Sequence, residues 1–253
     1  MSDILIHFKR YDKVVVNSHS SDVWEPNPDL RKRIDGLWEE RVKSKPHGPS
    51  RPMIRVAEAR KDGRTLYLNT QMTGFKEHRG TIDLMEWGDR ANGLAVSANL
   101  ITSDGKLVLG KRGGNVWKGE GQYIIASGGA DPEEDFVDGL PDLESALRRE
   151  GCEEFYFPES SYTNITPFVV FGTAKEPAPS FSYVVQLGLS SKEIGELFRK
   201  GVAEEGKGAE NIEIKFLEND PEKISKEMES NGRLYRPWVK ALMEHYAFSL
   251  KEG

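Results

Sequence analysis

The sequence predicts a mixed α/β fold, and three observations support this. Apolar-rich stretches of strand length recur along the chain, an acidic stretch with helical spacing lies among them, and two Asp-Gly pairs mark tight hairpin turns. Strands and helices that alternate in this way are typical of a sheet covered by helices. The 253 residues suffice for one large domain, or for a catalytic domain of about 165 residues with a smaller N-terminal partner.

The N-terminal third is predicted to be rich in strands. Its apolar residues alternate or cluster over short stretches, and proline and glycine mark the boundaries. The expected elements, in chain order, are a hairpin of residues 3–8 and 12–17, a helix that follows Pro26 to Pro28 and runs through Lys43, a linker-like break at 45–52, and a second hairpin of residues 53–59 and 65–69 around Asp62-Gly63.

The remaining two thirds are predicted to alternate strands and helices. A second Asp-Gly turn, at Asp104-Gly105, indicates a hairpin with aliphatic residues on both arms. The expected strands are 93–102, 107–109, 165–172, 181–189 and 211–217, with a loop at 175–179. The expected helices are 142–156, 190–201 and 234–250, the last with an apolar stripe of Leu234, Trp238, Leu242 and Tyr246.

The helix at 142–156 carries an unusual concentration of negative charge. Glu150, Glu153 and Glu154 fall on one arc of about 100°, because positions i, i+3 and i+4 are neighbours on a helix. Residues 131–154 contain ten acidic residues and only two arginines, whereas the whole chain has a net charge of −6. Carboxylates this close repel one another, so the pattern predicts a bound divalent cation.

This stretch resembles the signature of the Nudix hydrolases, Gly-x5-Glu-x7-Arg-Glu-U-x-Glu-Glu-x-Gly-U, where U is bulky and apolar. The matching residues are Gly129, Arg149, Glu150, Glu153, Glu154 and Phe157. Gly151 and Tyr156 depart from the signature, and the spacer before Arg149 is longer by about six residues. We interpret the difference as an insertion in a turn-forming loop. Glu133, Glu134, Asp135 and Asp138 are all candidates for the first acidic position.

The resemblance implies an α/β/α sandwich with a mixed sheet over residues 89–253, preceded by a β-rich N-terminal extension or small domain at 1–88. It implies that Glu150, Glu153, Glu154 and Gly129 hold Mg²⁺, or Mn²⁺ as a substitute, and that Arg149 orients a glutamate. It assigns Arg112, Gly128 and Gly129 to the substrate. The general base would be Glu150 or an acid of a later loop, with Glu204, Glu205 and Glu210 as candidates.

The implied activity is cleavage of the diphosphate linkage in a nucleoside diphosphate joined to a second group. Residues 37–41 and 75–81 resemble the lead-in of the UDP-sugar hydrolase branch, which would yield UMP and a sugar 1-phosphate. The alternatives are an ADP-ribose or dinucleotide pyrophosphatase and a non-catalytic nucleotide-binding domain. Aromatic residues able to stack on a base are Phe75, Trp87, Trp117 and Tyr123.

Composition narrows the class of partner. An acidic chain with a pI near 5.6 and no basic stripe argues against polymeric nucleic acid and favours a small nucleotide. The sequence contains no apolar stretch of membrane-spanning length and no signal-peptide pattern, so we expect a cytoplasmic protein without a membrane contact. The lone Cys152 cannot form an internal disulfide. The resemblance also admits a homodimer.

Overall fold

The computed structural model describes residues 4–9, 11–44, 50–82, 90–114, 116, 119–173 and 179–252. Within them the strands are β1 (Ile4–Lys9), β2 (Lys13–Val23), β3 (Pro52–Asp62), β4 (Thr65–Gly74), β5 (Ala95–Ile101), β6 (Lys106–Arg112), β7 (Tyr123–Ile124), β8 (Ala126–Gly129), β9 (Phe136–Val137), β10 (Leu140–Pro141), β11 (Tyr162–Thr173), β12 (Ser180–Leu187) and β13 (Asn211–Glu218). The helices are α1 (Pro28–Ser44), α2 (Phe75–Thr81), α3 (Leu143–Phe155), α4 (Ser191–Glu205), α5 (Pro221–Asn231) and α6 (Pro237–Glu252).

A large mixed sheet forms the centre of the molecule. Its strand order is β1-β11-β12-β5-β6-β13, with β8 paired to β5 and β7 paired to β6. Strands β12 and β5 run parallel, and the other pairs in this sheet are antiparallel. The mixed α/β fold class is therefore confirmed.

Helices cover both faces of the large sheet. Along β6, Val108 points into a core with α3 and α4, whereas Leu107 and Leu109 point into a second core with α5 and α6. This alternation follows from the two-residue period of a strand, which sends successive side chains to opposite faces. Burial of each large aliphatic side chain contributes about 1.5–3 kcal/mol, so the two cores fix the helices on either side.

A smaller sheet of order β2-β4-β3 packs beside the large one. Ile54, Val56, Leu66 and Leu68 of this sheet belong to the same buried core as α3. Backbone hydrogen bonds join the two sheets at residues 92–94, where the Leu94 N–H donates to the Ile54 carbonyl at 2.7 Å. The small sheet is thus fixed directly beside β5.

The two Asp-Gly hairpins are confirmed. Gly63 lies between β3 and β4 with φ +57°, and Gly105 lies between β5 and β6 with φ +73°. Both residues occupy the left-handed region, which glycine adopts without steric cost.

The prediction of an N-terminal hairpin is wrong. Strand β1 pairs with β11 in the large sheet, and β2 pairs with β4 in the small sheet. The alternation of apolar residues identified both strands, but periodicity carries no information about the partner of a strand. The connection that had suggested a turn instead carries the chain from one sheet to the other.

Three helical features differ from the sequence-based expectation. Helices α2 and α5 were not predicted, although Asp220 caps α5 by accepting the Lys223 N–H at 2.9 Å and Pro221 begins it. Helix α6 begins at Pro237, so Leu234 lies before it in a short 3-10 turn and is exposed. None of the helices in the described residues is long and apolar enough to cross a membrane.

The predicted boundary at residue 88 and most of the predicted loop at 175–179 lie outside the described residues. The same is true of residues 45–49 in the predicted linker. The division into segments 1–88 and 89–253 stays a prediction.

Candidate active site

Helix α3 presents its glutamates because its opposite side is held in the core. Asp142 caps the helix by accepting the Ser145 N–H at 2.8 Å. Its apolar residues at four-residue spacing are all buried, namely Leu143, Leu147, Gly151 and Phe155. The acidic arc therefore faces β8, the strand that ends in Gly128-Gly129.

Arg149 connects the loop after β8 to the glutamates of α3. Its Nη2 donates to Asp135 Oδ2 and to the Gly129 carbonyl, both at 2.9 Å, and its Nε donates to Asp135 Oδ1 at 3.1 Å. The same guanidinium lies 3.0 Å from Glu150 Oε1 and 3.1 Å from Glu153 Oε2. Burial opposes the charge, but the hydrogen bonds to Asp135 and the carboxylate of Glu150 raise the pKa of Arg149.

Asp135 occupies the first acidic position among the four candidates. It is 1 % exposed, whereas Glu133, Glu134 and Asp138 are exposed. Five residues separate it from Gly129, as the signature requires. The extra residues that follow form the small hairpin of β9 and β10, which turns at Asp138 and Gly139. The insertion thus leaves the ion pair with Arg149 intact.

Glu154 is a buried carboxylate with one unpaired oxygen. It is 4 % exposed, and its Oε2 accepts the Ser127 N–H at 3.0 Å. Its Oε1 has no hydrogen-bond partner in the described residues. Burial, reinforced by the neighbouring Glu150, raises the pKa of Glu154 well above its usual range. An unpaired buried carboxylate oxygen is costly, so this atom is suited to a ligand.

Glu150 lies directly over Gly128. A Cβ on Gly128 would stand 1.9 Å from Cδ of Glu150, so only glycine leaves room for this carboxyl group. Burial raises the pKa of Glu150 to about 7. Glu153, the third glutamate of the arc, is more exposed, and burial also raises its pKa.

Arg112 supplies a half-buried cation opposite these acids. Its Nη1 lies 3.9 Å from Glu154 Oε1 and its Nη2 lies 3.7 Å from Glu210 Oε2, both too far for hydrogen bonds. Its Nε is buried without a partner in the described residues, and its side chain is 14 % exposed. The guanidinium is therefore ready to donate hydrogen bonds to an anion.

Arg112, Arg149, Glu150, Glu153 and Glu210 line one cavity of about 660 Å³. The buried Asp135 and Glu154 do not line it but contact the lining residues Arg149 and Ser127. The cavity floor includes Ser127, Gly128 and Gly129, with Arg149, Glu150 and Glu153 beside them. Residues of the N-terminal segment line one side, and Arg236 and Trp238 of the C-terminal segment also line it. A cavity of this size and mixed polarity accommodates a nucleotide-sized ligand.

The site residues fit a hard divalent cation. No group of three or more His, Cys, Asp or Glu side chains forms a ready-made cage in the part of the chain that the structure describes. Arg149 holds Glu153 on the side of the arc that faces Asp135. Glu150 and Glu154 nevertheless offer buried carboxylate oxygens, including the unpaired Oε1, and oxygen ligands are those that Mg²⁺ and Mn²⁺ prefer.

Comparison with known proteins finds relatives in sequence and in structure. No protein-family model matches the chain. Similar solved structures are the MutT protein from Methanosarcina mazei Go1 (TM-score 0.38, 15% identity, covering 63% of this chain and 95% of that one) and the Bacillus subtilis pyrophosphohydrolase BsRppH (TM-score 0.41, 12% identity, 66% and 86%). In sequence, the chain is 24% identical to mouse "Uridine diphosphate glucose pyrophosphatase NUDT22" over 224 residues, covering 75% of this chain and 72% of the mouse protein.

The chain is therefore similar in sequence to a uridine diphosphate glucose pyrophosphatase, and its candidate site carries the residues that resemble the Nudix signature.

Two departures from the Nudix signature have a structural explanation. A Cβ on Gly151 would stand 2.0 Å from Oη of Tyr162, so glycine lets this tyrosine pack on α3 and donate to the Leu147 carbonyl at 3.2 Å. Tyr156 adopts the left-handed conformation, with φ +60°, at the position where Nudix proteins have glycine. Its N–H closes the helix on the Cys152 carbonyl, and its ring packs on Gly201.

The structure separates the candidates for the general base. Glu210 lines the cavity next to Arg112. Glu205 instead accepts a hydrogen bond from the Tyr156 hydroxyl, and Glu204 is exposed near Lys200. Glu150 and Glu210 are thus the two candidates that line the cavity.

The structure also separates the aromatic residues that were predicted to stack on a base. Phe75 lines the cavity, whereas Tyr123 is buried and donates its hydroxyl hydrogen bond to Glu213. Trp87 and Trp117 lie outside the described residues. Sequence reasoning assigned no site role to several cavity residues that are far from the signature, namely Arg51, Met53, His78, Arg79, Arg236 and Trp238. Their spacing carries no local pattern that could have identified them.

Proposed function

We propose that this chain is a Nudix hydrolase that depends on Mg²⁺ and cleaves the diphosphate linkage of a UDP-sugar to give UMP and a sugar 1-phosphate. The observation that carries the proposal is the unpaired Oε1 of buried Glu154 beside the half-buried side chain of Arg112. One group suits a cation and the other suits a phosphate, so together they match a metal-bound diphosphate. The mouse relative, by its name a uridine diphosphate glucose pyrophosphatase, supports the choice of substrate.

Glu150, Glu153, Glu154 and the Gly129 carbonyl would hold the metal. The Gly129 carbonyl accepts a hydrogen bond from Arg149 and has a second lone pair for a cation. Bound Mg²⁺, or Mn²⁺ in its place, supplies charge neutralisation of the diphosphate and acidifies a water molecule. Arg149 contacts Glu150, Glu153 and the Gly129 carbonyl, so it orients three of the four proposed ligands.

Arg112 and the glycines of β8 would bind the substrate phosphates. The Arg112 guanidinium donates hydrogen bonds in a fork that matches two phosphate oxygens. The absence of side chains at Gly128 and Gly129 leaves the floor of the cavity open to close approach.

We assign the general base to Glu210. A carboxylate that holds a cation is a poor proton acceptor, which weakens the case for Glu150. Glu210 lines the cavity with a largely exposed side chain, and its Oε2 lies 3.7 Å from Nη2 of Arg112. It would accept the proton of the attacking water as the new bond to phosphorus forms.

The cytoplasmic location and the homodimer stay predictions from the sequence. The absence of an internal disulfide, with Cys152 as the lone cysteine, accords with a reducing compartment.

The test is hydrolysis of UDP-glucose, ADP-ribose, NADH and diadenosine polyphosphates with Mg²⁺, with products identified by chromatography. We expect UMP and glucose 1-phosphate from UDP-glucose with the native chain, and loss of this activity in Glu154→Gln. Glu159→Gln, an exposed position just after α3, is the matched control and should retain activity. Preferred cleavage of ADP-ribose or a dinucleotide would reassign the substrate. A folded protein that binds nucleotides but hydrolyses none with Mg²⁺ or Mn²⁺ would refute the proposed catalysis.

A further inference from the structure

The segment that carries Glu210 is hydrogen-bonded to the end of strand β6. Asn211, the first residue of β13, pairs with Arg112, the last residue of β6. Just beyond that pair, the Gly113 N–H donates to the Glu210 carbonyl at 2.7 Å. A Cβ on Gly113 would stand 2.8 Å from Cγ2 of Ile212, so glycine permits this close approach of the two backbones. The backbone of Glu210 is therefore held against the end of β6.

The side chain of Asn211 lies between β6 and α3. It is 0 % exposed, and it occupies the space that Gly110 leaves by having no side chain. A Cβ on Gly110 would stand 2.7 Å from Cγ of Asn211. The strand pairing shifts by one residue between Asn211 and Glu213. Because of this bulge, Asn211 contacts α3, whereas Glu213 contacts Tyr123 in the core on the opposite face.

The amide of Asn211 pairs with the end of the helix that carries the glutamates. Its Nδ2 donates a long hydrogen bond to the Glu154 carbonyl at 3.5 Å. This carbonyl lies in the last turn of α3, and the residue four positions later is Pro158, which has no N–H to donate. Asn211 thus supplies a donor that the backbone lacks.

Stability alone does not explain an amide at this position. Oδ1 of Asn211 is buried without a hydrogen-bond partner in the part of the chain that the structure describes. The cost of burying this oxygen offsets what the hydrogen bond to the Glu154 carbonyl contributes to folding. What the residue does achieve is a connection, because its backbone directly follows Glu210 and its side chain contacts the backbone of Glu154.

We propose that Asn211 is a positioning residue, which holds Glu210 at a fixed place relative to Glu154 by joining the start of β13 to the end of α3. The proposal rests on the proposed function, in which Glu210 is the general base. A base must lie within hydrogen-bond reach of the water that it activates, and a misplacement of about 1 Å can lower the rate by about 10²-fold.

The first test compares the hydrolysis of UDP-glucose with Mg²⁺ in two backgrounds. In the native background, we expect Asn211→Ala to lower kcat by about 10- to 100-fold with little change in KM. In the Glu210→Gln background the same substitution should lower kcat no further, because its effect passes through Glu210. Asn164→Ala, at an exposed asparagine on β11, is the matched control and should keep the native kcat. An equal loss in both backgrounds, a change in KM alone, or an unchanged kcat would overturn the assignment.

The second test requires no turnover. We expect the Gly113 amide, which donates to the Glu210 carbonyl, to exchange its proton with solvent about 2- to 30-fold faster in Asn211→Ala. NMR measures this rate, and Asn164→Ala should exchange as the native chain does. If Asn211→Ala does not fold by circular dichroism, Asn211→Ser, which keeps a hydroxyl donor beside Gly110, replaces it in both tests. An unchanged exchange rate at Gly113 would show that Asn211 does not hold this segment.

The two tests also distinguish this proposal from the proposed function. Faster exchange at Gly113 in Asn211→Ala, without hydrolysis of any nucleotide by the native chain, would keep the anchoring role of Asn211 and reject the catalytic proposal. Hydrolysis of UDP-glucose with the same kcat in the native chain and in Asn211→Ala would keep the catalytic proposal and reject the positioning role.

Discussion

The guanidinium of Arg149 donates hydrogen bonds to both oxygens of the buried Asp135 carboxylate, from Nε to Oδ1 at 3.1 Å and from Nη2 to Oδ2 at 2.9 Å. The pair joins the loop after β8 to the helix that carries the glutamates. It therefore sets the distance between the Gly129 carbonyl and the acidic arc, on which the proposed metal site depends.

Asp135→Asn should weaken this link. An amide can accept one hydrogen bond but cannot balance the guanidinium, so we expect the free energy of unfolding to fall by about 1–3 kcal/mol. Urea denaturation measures it. Asp138→Asn is the matched control, because Asp138 is exposed at φ +52° in the inserted hairpin and asparagine tolerates that conformation. Equal stability of the two variants would contradict the central position given to the ion pair.

Gly151→Ala should destabilise the fold although alanine favours helices. The new Cβ would stand 2.0 Å from Oη of Tyr162, and we expect a loss of about 1–3 kcal/mol from overpacking. Thermal unfolding of Gly151→Ala with and without Tyr162→Phe measures the coupling, and the double variant should recover part of the loss. Gly195→Ala on α4, whose nearest neighbour would be Phe216 at 3.6 Å, should be neutral or stabilising. Similar effects at both glycines would refute the steric explanation.

Affinity for Mg²⁺ should fall as the pH drops through 7. Burial raises the pKa of Glu150 to about 7, and the cation must displace this proton, so affinity should decrease by about tenfold per pH unit below 7. Titration calorimetry at pH 8, 7 and 6 measures the change, and Glu150→Gln should reduce its slope, with Glu154 left to contribute the remainder. The effect of the same pKa shift on the folding stability of the metal-free protein has the opposite sign. Without metal the folded state binds more protons than the unfolded state between the usual pKa of glutamate and 7, so Glu150 favours folding increasingly as the pH falls.

Glu210→Gln should lower kcat by about 10²-fold with little change in KM, because it removes the proposed proton acceptor and keeps the shape of the side chain. Steady-state kinetics on the substrate found in the panel measures both constants. Glu204→Gln, exposed in α4 near Lys200, is the matched control and should leave both unchanged. A loss of kcat below about threefold in Glu210→Gln would return the role of base to Glu150.

The parts of the site that could be predicted from the sequence are those fixed by local geometry. The spacing of Glu150, Glu153 and Glu154 on a helix, and the apolar stripe behind them, follow from 3.6 residues per turn. The choice of Asp135 among four neighbouring acids could not be predicted from helical spacing, because it depends on which carboxylate the insertion leaves buried against Arg149.

The other features that could not be predicted depend on contacts between residues that are far apart in the sequence. Strand β1 pairs with β11, more than 150 residues away, and the two Asp-Gly hairpins were found because their partners are adjacent in sequence. Trp38 meets Phe75 across 37 positions, and both line a cavity whose floor begins at Ser127. No periodicity within a segment reports contacts of that separation.

The pairing of β1 with β11 has a consequence for the N-terminal segment that lines one side of the cavity. The chain leaves the large sheet at β1, builds the small sheet and helices α1 and α2, and returns to the large sheet at β5. This segment is thus attached at both ends to strands of one sheet. Attachment at both ends restricts its motion before any ligand arrives, so little of the binding energy of a ligand is spent on ordering it.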